Sequence, residues 1–174
     1  NFAGDLLGGK LNYAFAYLNG VGDGASAENN PTADVDANDD KDLALRLSAT
    51  PFRDSDSFAL QNLTIGLGTT WANGVGTATK TLLPAQYRSP GQQSVFTYRA
   101  GATPTIADGR RLRWSPQFYW ANGGLGLLGE YVAVSQDVSR TIGVTRRASR
   151  LEHRAWQLQG SWFLTGEDES FRTP

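Results

Sequence analysis

The sequence predicts an all-β fold, specifically an antiparallel transmembrane β-barrel. Three observations carry that expectation. Apolar residues recur with period two and almost never with a helical period. Several alternating runs reach the roughly 9–11 residues of a tilted membrane strand, against ~5–6 for a soluble one. The polar faces of those runs hold Gly, Ala, Ser, Thr and Gln with isolated Arg, not the Lys/Glu-rich surface of a soluble sheet. Alternation alone also describes a soluble β-sandwich with one wet face, and that reading stays open here.

Taken in order, a stub near Phe2 leads through Leu-Gly-Gly-Lys into the run 11–19, where Leu11, Tyr13, Phe15 and Tyr17 oppose Asn12, Ala14 and Ala16. Leu43, Leu45, Leu47 and Ala49 oppose Asp42, Arg46, Ser48 and Thr50. Leu63, Ile65, Leu67 and Trp71 oppose Thr64, Gly66, Gly68 and Thr70. Phe96 and Tyr98 oppose Thr97 and Arg99 in a shorter run, which is expected to be a further strand. Trp156, Leu158, Trp162 and Leu164 oppose Gln157, Gln159 and Ser161. Between these runs the polarity and the Gly, Pro and Asn breakers predict long loops near 20–41, 73–93 and 139–154. Short turns at one end and long loops at the other fit an outer-membrane barrel. The strand list nevertheless puts the two short turns, Leu-Gly-Gly-Lys and Ala-Asn-Gly-Gly, on opposite sides, so either 73–93 is expected to hold another crossing or one short turn lies outside.

The ribbon 110–134 is the most informative stretch. Asn122-Gly123 predicts a two-residue hairpin turn, because both central positions of the favoured turn need positive φ. Pairing outward from it places Trp120 by Leu125, Phe118 by Leu127 and Trp114 by Tyr131 on one apolar face. Gln117 by Leu128, Ser115 by Glu130 and Arg113 by Val132 share the other, with Arg111 beyond. Glu130 is then diagonal to Arg113 and is expected to form a cross-strand ion pair. Pro116 cannot donate to a ladder, so a bulge is expected at Ser115–Pro116.

Composition removes several function classes. With no Cys, disulfides, structural zinc and thiol chemistry are gone. His153 is the only histidine, so no His-based metal cluster or triad assembles, and no enzyme and no cofactor are expected. No run of eighteen apolar residues exists, which excludes a transmembrane helix. The acidic stretch Asp34, Asp36, Asp39, Asp40 and Asp42 lacks the Gly and terminal Glu of an EF-hand loop, so a solvated loop is expected there rather than a metal site. Net charge of −1, with the aromatics facing away from the arginines, argues against nucleic acid as a partner.

Longer blocks carry a resemblance. Leu-Arg-Trp-Ser-Pro-Gln-Phe-Tyr-Trp (112–120) followed by Gly-Leu-Leu-Gly-Glu-Tyr-Val (126–132) is similar to the phosphate- and polyphosphate-selective porins of Gram-negative outer membranes. Tyr-Arg-Ser-Pro-Gly-Gln-Gln (87–93), Phe-Leu-Thr-Gly-Glu-Asp (163–168), the run from Gly9 to Gly20 and Ala-Thr-Pro-Phe-Arg-Asp-Ser-Asp-Ser (49–57) resemble the same family. The resemblance implies a barrel of roughly sixteen strands, of which this chain would be an internal fragment covering about half. It also implies a homotrimer set among outer-membrane lipid and lipopolysaccharide, loops folded into the lumen, and cationic side chains guiding small anions. A structural or anchoring barrel in a larger envelope assembly is the alternative within that architecture.

Candidate site residues follow from the faces. Arg46, Arg99, Arg111 and Arg113 fall on polar faces, where they are expected to line a lumen and favour anions. Their competing role is structural pairing with Glu130, Asp42 or a loop carboxylate. Trp71, Trp114, Phe118, Trp120, Tyr131, Trp156 and Trp162 are expected to face lipid and form an aromatic belt. Lys10, Lys41 and Lys80 are the only lysines, so no lysine cluster is located.

Overall fold

The computed structural model describes residues 1–19, 41–57, 59–83, 86–89 and 91–165. Among these residues nine strands follow one another: β1 (Phe2–Leu6), β2 (Leu11–Asn19), β3 (Lys41–Ala49), β4 (Thr64–Val75), β5 (Gln86–Arg88), β6 (Ser94–Thr97), β7 (Ile106–Asn122), β8 (Leu125–Ile142) and β9 (Thr145–Trp162). Seven of them form one antiparallel sheet in the order β1-β2-β3-β4-β7-β8-β9. β5 and β6 pair only with each other, as a separate two-stranded ribbon. The fold is therefore all-β, as the alternation predicts.

The sheet order resolves the turn conflict. The run at 94–97 belongs to the separate ribbon and is not a crossing, so four strands, β2, β3, β4 and β7, separate the two short turns. Both turns lie at the same end of the sheet. That end is braced by Thr50 N–H donating to Lys10 O (2.8 Å) and by a Lys10–Asp54 ion pair of 2.6 Å. The Lys10 ammonium holds the Asp54 carboxyl below its usual range. Leu63 and Leu164 fall just outside the strands in which their alternation placed them.

The sequence register of the ribbon needs one correction. β7 and β8 turn at Gly123-Gly124, with Gly123 at φ 53° and Asn122 opposite Leu125. The pairing is thus displaced by two residues from that built on Asn122-Gly123: Trp120 faces Leu127, Phe118 faces Gly129 and Gln117 faces Glu130. A two-residue displacement leaves every side chain on its expected face, because strand parity is two. Glycine is what the pairing requires at 129. A Cβ there would run into Phe118 Cε1, so the ring lies across the bare backbone. Gly129→Val is expected to lower stability by about 1–3 kcal/mol through overpacking, read from the denaturation midpoint.

Pro116 is accommodated without the expected bulge. On the β4 side Ser115 and Pro116 pair with Gly68 and Leu67 in unbroken register. On the β8 side the pairs step from Trp114–Ala133 to Gln117–Glu130, again without a shift. A missing N–H deletes a ladder bond and does not by itself demand an extra residue. The irregularity lies instead between Ala107 and Arg111, where Gly109 adopts φ 126°. The basic stretch 139–154, expected as a loop, is the distal part of β8 and β9, interrupted only by the tight turn at Gly143-Val144.

Register assigns one continuous apolar face across all seven strands. It carries Phe2, Tyr13, Phe15, Tyr17, Leu43, Leu45, Leu47, Ile65, Leu67, Trp71, Leu112, Trp114, Phe118, Trp120, Leu125, Leu127, Tyr131, Trp156, Leu158 and Trp162. Among the described residues no second layer covers it. Trp156 is 77% exposed and Trp162 71%. Buried apolar residues are few and small (Ala72, Ala107, Ala121 and Val138, with Leu83 and Tyr98), and no large side chain is fully buried. Leaving a large apolar side chain in water forgoes ~1.5–3 kcal/mol. Phe15, Tyr17, Trp71, Trp114, Leu125, Trp156, Leu158 and Trp162 together therefore forgo on the order of 10 kcal/mol, as much as a domain's entire net stability.

Candidate functional site

The opposite face collects the small and polar residues. Register sets Ala3, Ala14, Arg46, Gly68 and Ser115 side by side in one row across β1, β2, β3, β4 and β7. The next row holds Ala16, Ala44, Thr70, Arg113, Val134 and His153. These rows floor a cavity of about 780 Å³ whose lining runs from Asn1 and Ala3 on one flank to Glu130 and Val132 on the other. β1 and β8 are five strand spacings apart, roughly 24 Å in a flat sheet. One cavity bordered by both means that the sheet curls with its polar face concave.

The four candidate arginines separate into different environments. Arg46 is exposed within the cavity between Ala14 and Gly68, and among the described residues it makes no hydrogen bond or ion pair. Arg113 lines the same cavity. Arg111 sits one row further along and donates from Nη2 to Asp42 Oδ2 at 3.2 Å, a mostly covered pair with side-chain exposures of 12% and 19%. Arg99 lies outside the seven-stranded sheet, in the exposed segment after β6, where its carbonyl accepts from Thr105 N–H. Its expected place on the polar face of a crossing strand is thereby corrected, since 94–97 does not join the large sheet.

Glu130 is satisfied differently from expectation. Ser115 Oγ donates to Oε1 at 2.6 Å and Gln157 Nε2 to Oε2 at 2.8 Å. The two-residue displacement explains the change. Arg113 now faces Val134, four positions beyond Glu130, or roughly 13 Å along the strand. Both carboxylate oxygens are thus taken by neutral donors on the cavity wall.

The aromatic candidates Trp71, Trp114, Phe118, Trp120, Tyr131, Trp156 and Trp162 all fall on the apolar face by register. Trp114 and Tyr131 contact each other with ring centroids 5.5 Å apart. Trp120 Nε1 donates to Ala59 O at 2.7 Å, which satisfies its one polar atom. Thr69, the polar residue among these neighbours, donates its hydroxyl to Arg113 O at 2.8 Å. An apolar face can carry a threonine at little cost when its hydroxyl is so occupied.

Sequence reasoning missed the role of the β5–β6 ribbon. The ribbon folds back over the polar face: Leu83 and Tyr98 are buried with Ala107 and Val138, and Leu82, Tyr87 and Leu151 pack against them. His153 on β9 is clasped by three rings, with Tyr87 at 4.9 Å, Phe96 at 5.2 Å, and Tyr98 Oη 3.4 Å from Nε2. Burial pushes the Tyr98 hydroxyl well above the usual tyrosine range. In sequence, 73–93 reads as a Thr/Gly/Pro-rich loop and the run around Phe96 and Tyr98 as a crossing strand, so nothing there points to a ribbon packed on the sheet. His153→Ala is expected to raise amide hydrogen exchange in β5 and β6 about tenfold, the equivalent of one or two lost ring contacts. Exchange in β2 to β4 should stay unchanged, and His153→Phe should restore part of the protection.

At the far end the basic residues are held in place. Arg150 bonds both oxygens of Asp137 at 2.7 and 3.3 Å, Arg146 pairs with Asp108, and Arg140 donates to Thr103. The Asp137 carboxyl is lowered chiefly by its hydrogen bond from Arg150, and that of Asp108 by Ser139 and then Arg146. No group of three His, Cys, Asp or Glu residues able to hold a metal occurs among the described residues. The acidic stretch 20–40 lies outside them. No protein-family model, curated protein or solved structure matches the chain.

Proposed function

We propose that this chain forms part of an outer-membrane diffusion channel of the phosphate- and polyphosphate-selective porin type. The observation that carries this reading is the division of one curled sheet into an uncovered apolar face and a concave, polar, arginine-bearing one. A bilayer is the medium that covers such an apolar face while leaving water on the other side. From Leu112 to Trp120 the apolar run spans roughly 27 Å at ~3.4 Å per residue. Tilted by ~40°, it rises roughly 21 Å, most of the roughly 25 Å apolar band of a membrane barrel. The backbone must then find every hydrogen-bond partner within protein, which requires further strands against the outer edges of β1 and β9.

In this reading the apolar face meets lipid and lipopolysaccharide, and the concave face lines a water-filled lumen. Solutes move down their gradients and no bond is made or broken. Small anions are favoured because Arg46 and Arg113 present charge to the lumen, with Arg46 the more open of the two. The β5–β6 ribbon narrows the passage from the long-loop side. The resemblance adds a homotrimer as the assembly. The test is conductance of the full-length protein in a planar bilayer under a salt gradient. Ohmic steps with a reversal potential favouring anions are expected. An inserted protein that passes no current would instead support an anchoring barrel, and a protein monodisperse without detergent would overturn the membrane reading.

A further inference from the structure

Two depressions on the apolar face join into one furrow. The first, about 430 Å³, is lined by Pro116, Phe118, Gly129, Trp156 and Leu158 together with Tyr131. The second, about 280 Å³, lies directly beyond Tyr131 and is bordered by Leu112, Trp114 and Ala133, then by Ser135, Glu152 and Arg154. The furrow thus runs from an aliphatic and aromatic floor to a charged rim, sharing Tyr131 between its halves.

The rim has an excess of cations. On this face, beyond the apolar band, Arg110, Arg146, Arg150 and Arg154 stand against Asp108, Asp137 and Glu152, four charges against three. Arg150 is engaged by Asp137 of the neighbouring strand β8, and Arg146 by Asp108 of β7, one strand further on. Among the described residues Arg154 is held only by Glu152, two residues away on its own strand, at 2.9 Å with exposures of 66% and 55%. Such an exposed pair is weak and readily re-partnered. A guanidinium fork suits phosphate oxygens in paired hydrogen bonds.

We propose that this furrow is a binding site for an anionic phospholipid of the surrounding membrane. An acyl chain lies along Phe118, Gly129, Trp156 and Leu158, and the headgroup phosphate meets Arg154. The inference rests on the membrane reading given above, and it adds a preference for one lipid class at one place.

The experiment is lipid retention by the full-length protein. Protein reconstituted in vesicles of equal phosphatidylglycerol and phosphatidylcholine is extracted in detergent, and the lipid that stays bound is counted. The wild type is expected to retain phosphatidylglycerol about fivefold over phosphatidylcholine, the preference one arginine at a membrane surface supplies. Arg154→Gln should abolish the preference. Glu152→Gln, which removes the competing carboxylate, should raise it, and Arg46→Gln on the concave face should leave it unchanged. Equal retention by the wild type, or a preference that survives Arg154→Gln, would overturn the site while leaving the channel reading intact. Failure to associate with vesicles at all would overturn both.

Discussion

Leu67→Arg is expected to cost about 2–4 kcal/mol of membrane-inserted stability, the price of a cation near the middle of the lipid-facing band. Leu67 sits in the centre of the sheet, flanked by Leu47 on β3 and Pro116 on β7, and its own strand continues the apolar row through Ile65 and Trp71. The guanidinium would stand among these apolar side chains. The matching substitution on the concave face, Ser48→Arg, lies between Asn12 and Gly66 and should change stability by less than ~1 kcal/mol. Equilibrium urea unfolding from vesicles reads both. Were the apolar face covered by a soluble partner layer instead, the protein would unfold reversibly without any bilayer and the contrast would not depend on lipid.

The second large effect concerns selectivity. Arg46→Glu is expected to lower the anion-to-cation permeability ratio by on the order of tenfold. Two units of charge at ~4 Å alter the energy of a passing monovalent ion by about 2 kcal/mol even at the dielectric of bulk water. The reversal potential under a salt gradient measures it directly. Removing the Arg111–Asp42 pair together, as Asp42→Asn with Arg111→Gln, keeps the net charge and should leave the preference essentially unchanged. Its cost should appear in thermal stability, because the pair is mostly covered. Sequence reasoning treats these arginines alike. Their surroundings separate them: Ala14 and Gly68 leave Arg46 open, whereas Asp42 lies two strands from Arg111 in the same row.

Faces were legible in the sequence because a strand has period two, so Leu, Trp and Arg sort themselves before any pairing is known. Register was less so. Asn122-Gly123 and Gly123-Gly124 are both competent turns, and choosing the second moved Glu130 from Arg113 to Ser115 and Gln157 without moving any residue to the other face. The extent of β8 and β9 was hidden by charge. A strand that rises beyond an apolar band no longer alternates in polarity, so Arg146, Arg147, Arg150 and Arg154 resembled a loop. The β5–β6 ribbon was hidden for the opposite reason, since Phe96 and Tyr98 alternate like a crossing strand but pack on His153 and Val138.

The central claim is that one sheet separates lipid from water. The chain has no native cysteine, so single cysteines can be placed at each position from Leu125 to Val134 and spin-labelled in bilayers. Labels at 125, 127, 129, 131 and 133 are predicted to be relaxed by oxygen dissolved in the lipid, and those at 126, 128, 130, 132 and 134 by a water-soluble nickel complex. The two accessibilities should alternate in opposite phase along β8. Nickel access at every position, or no alternation in either signal, would contradict the account.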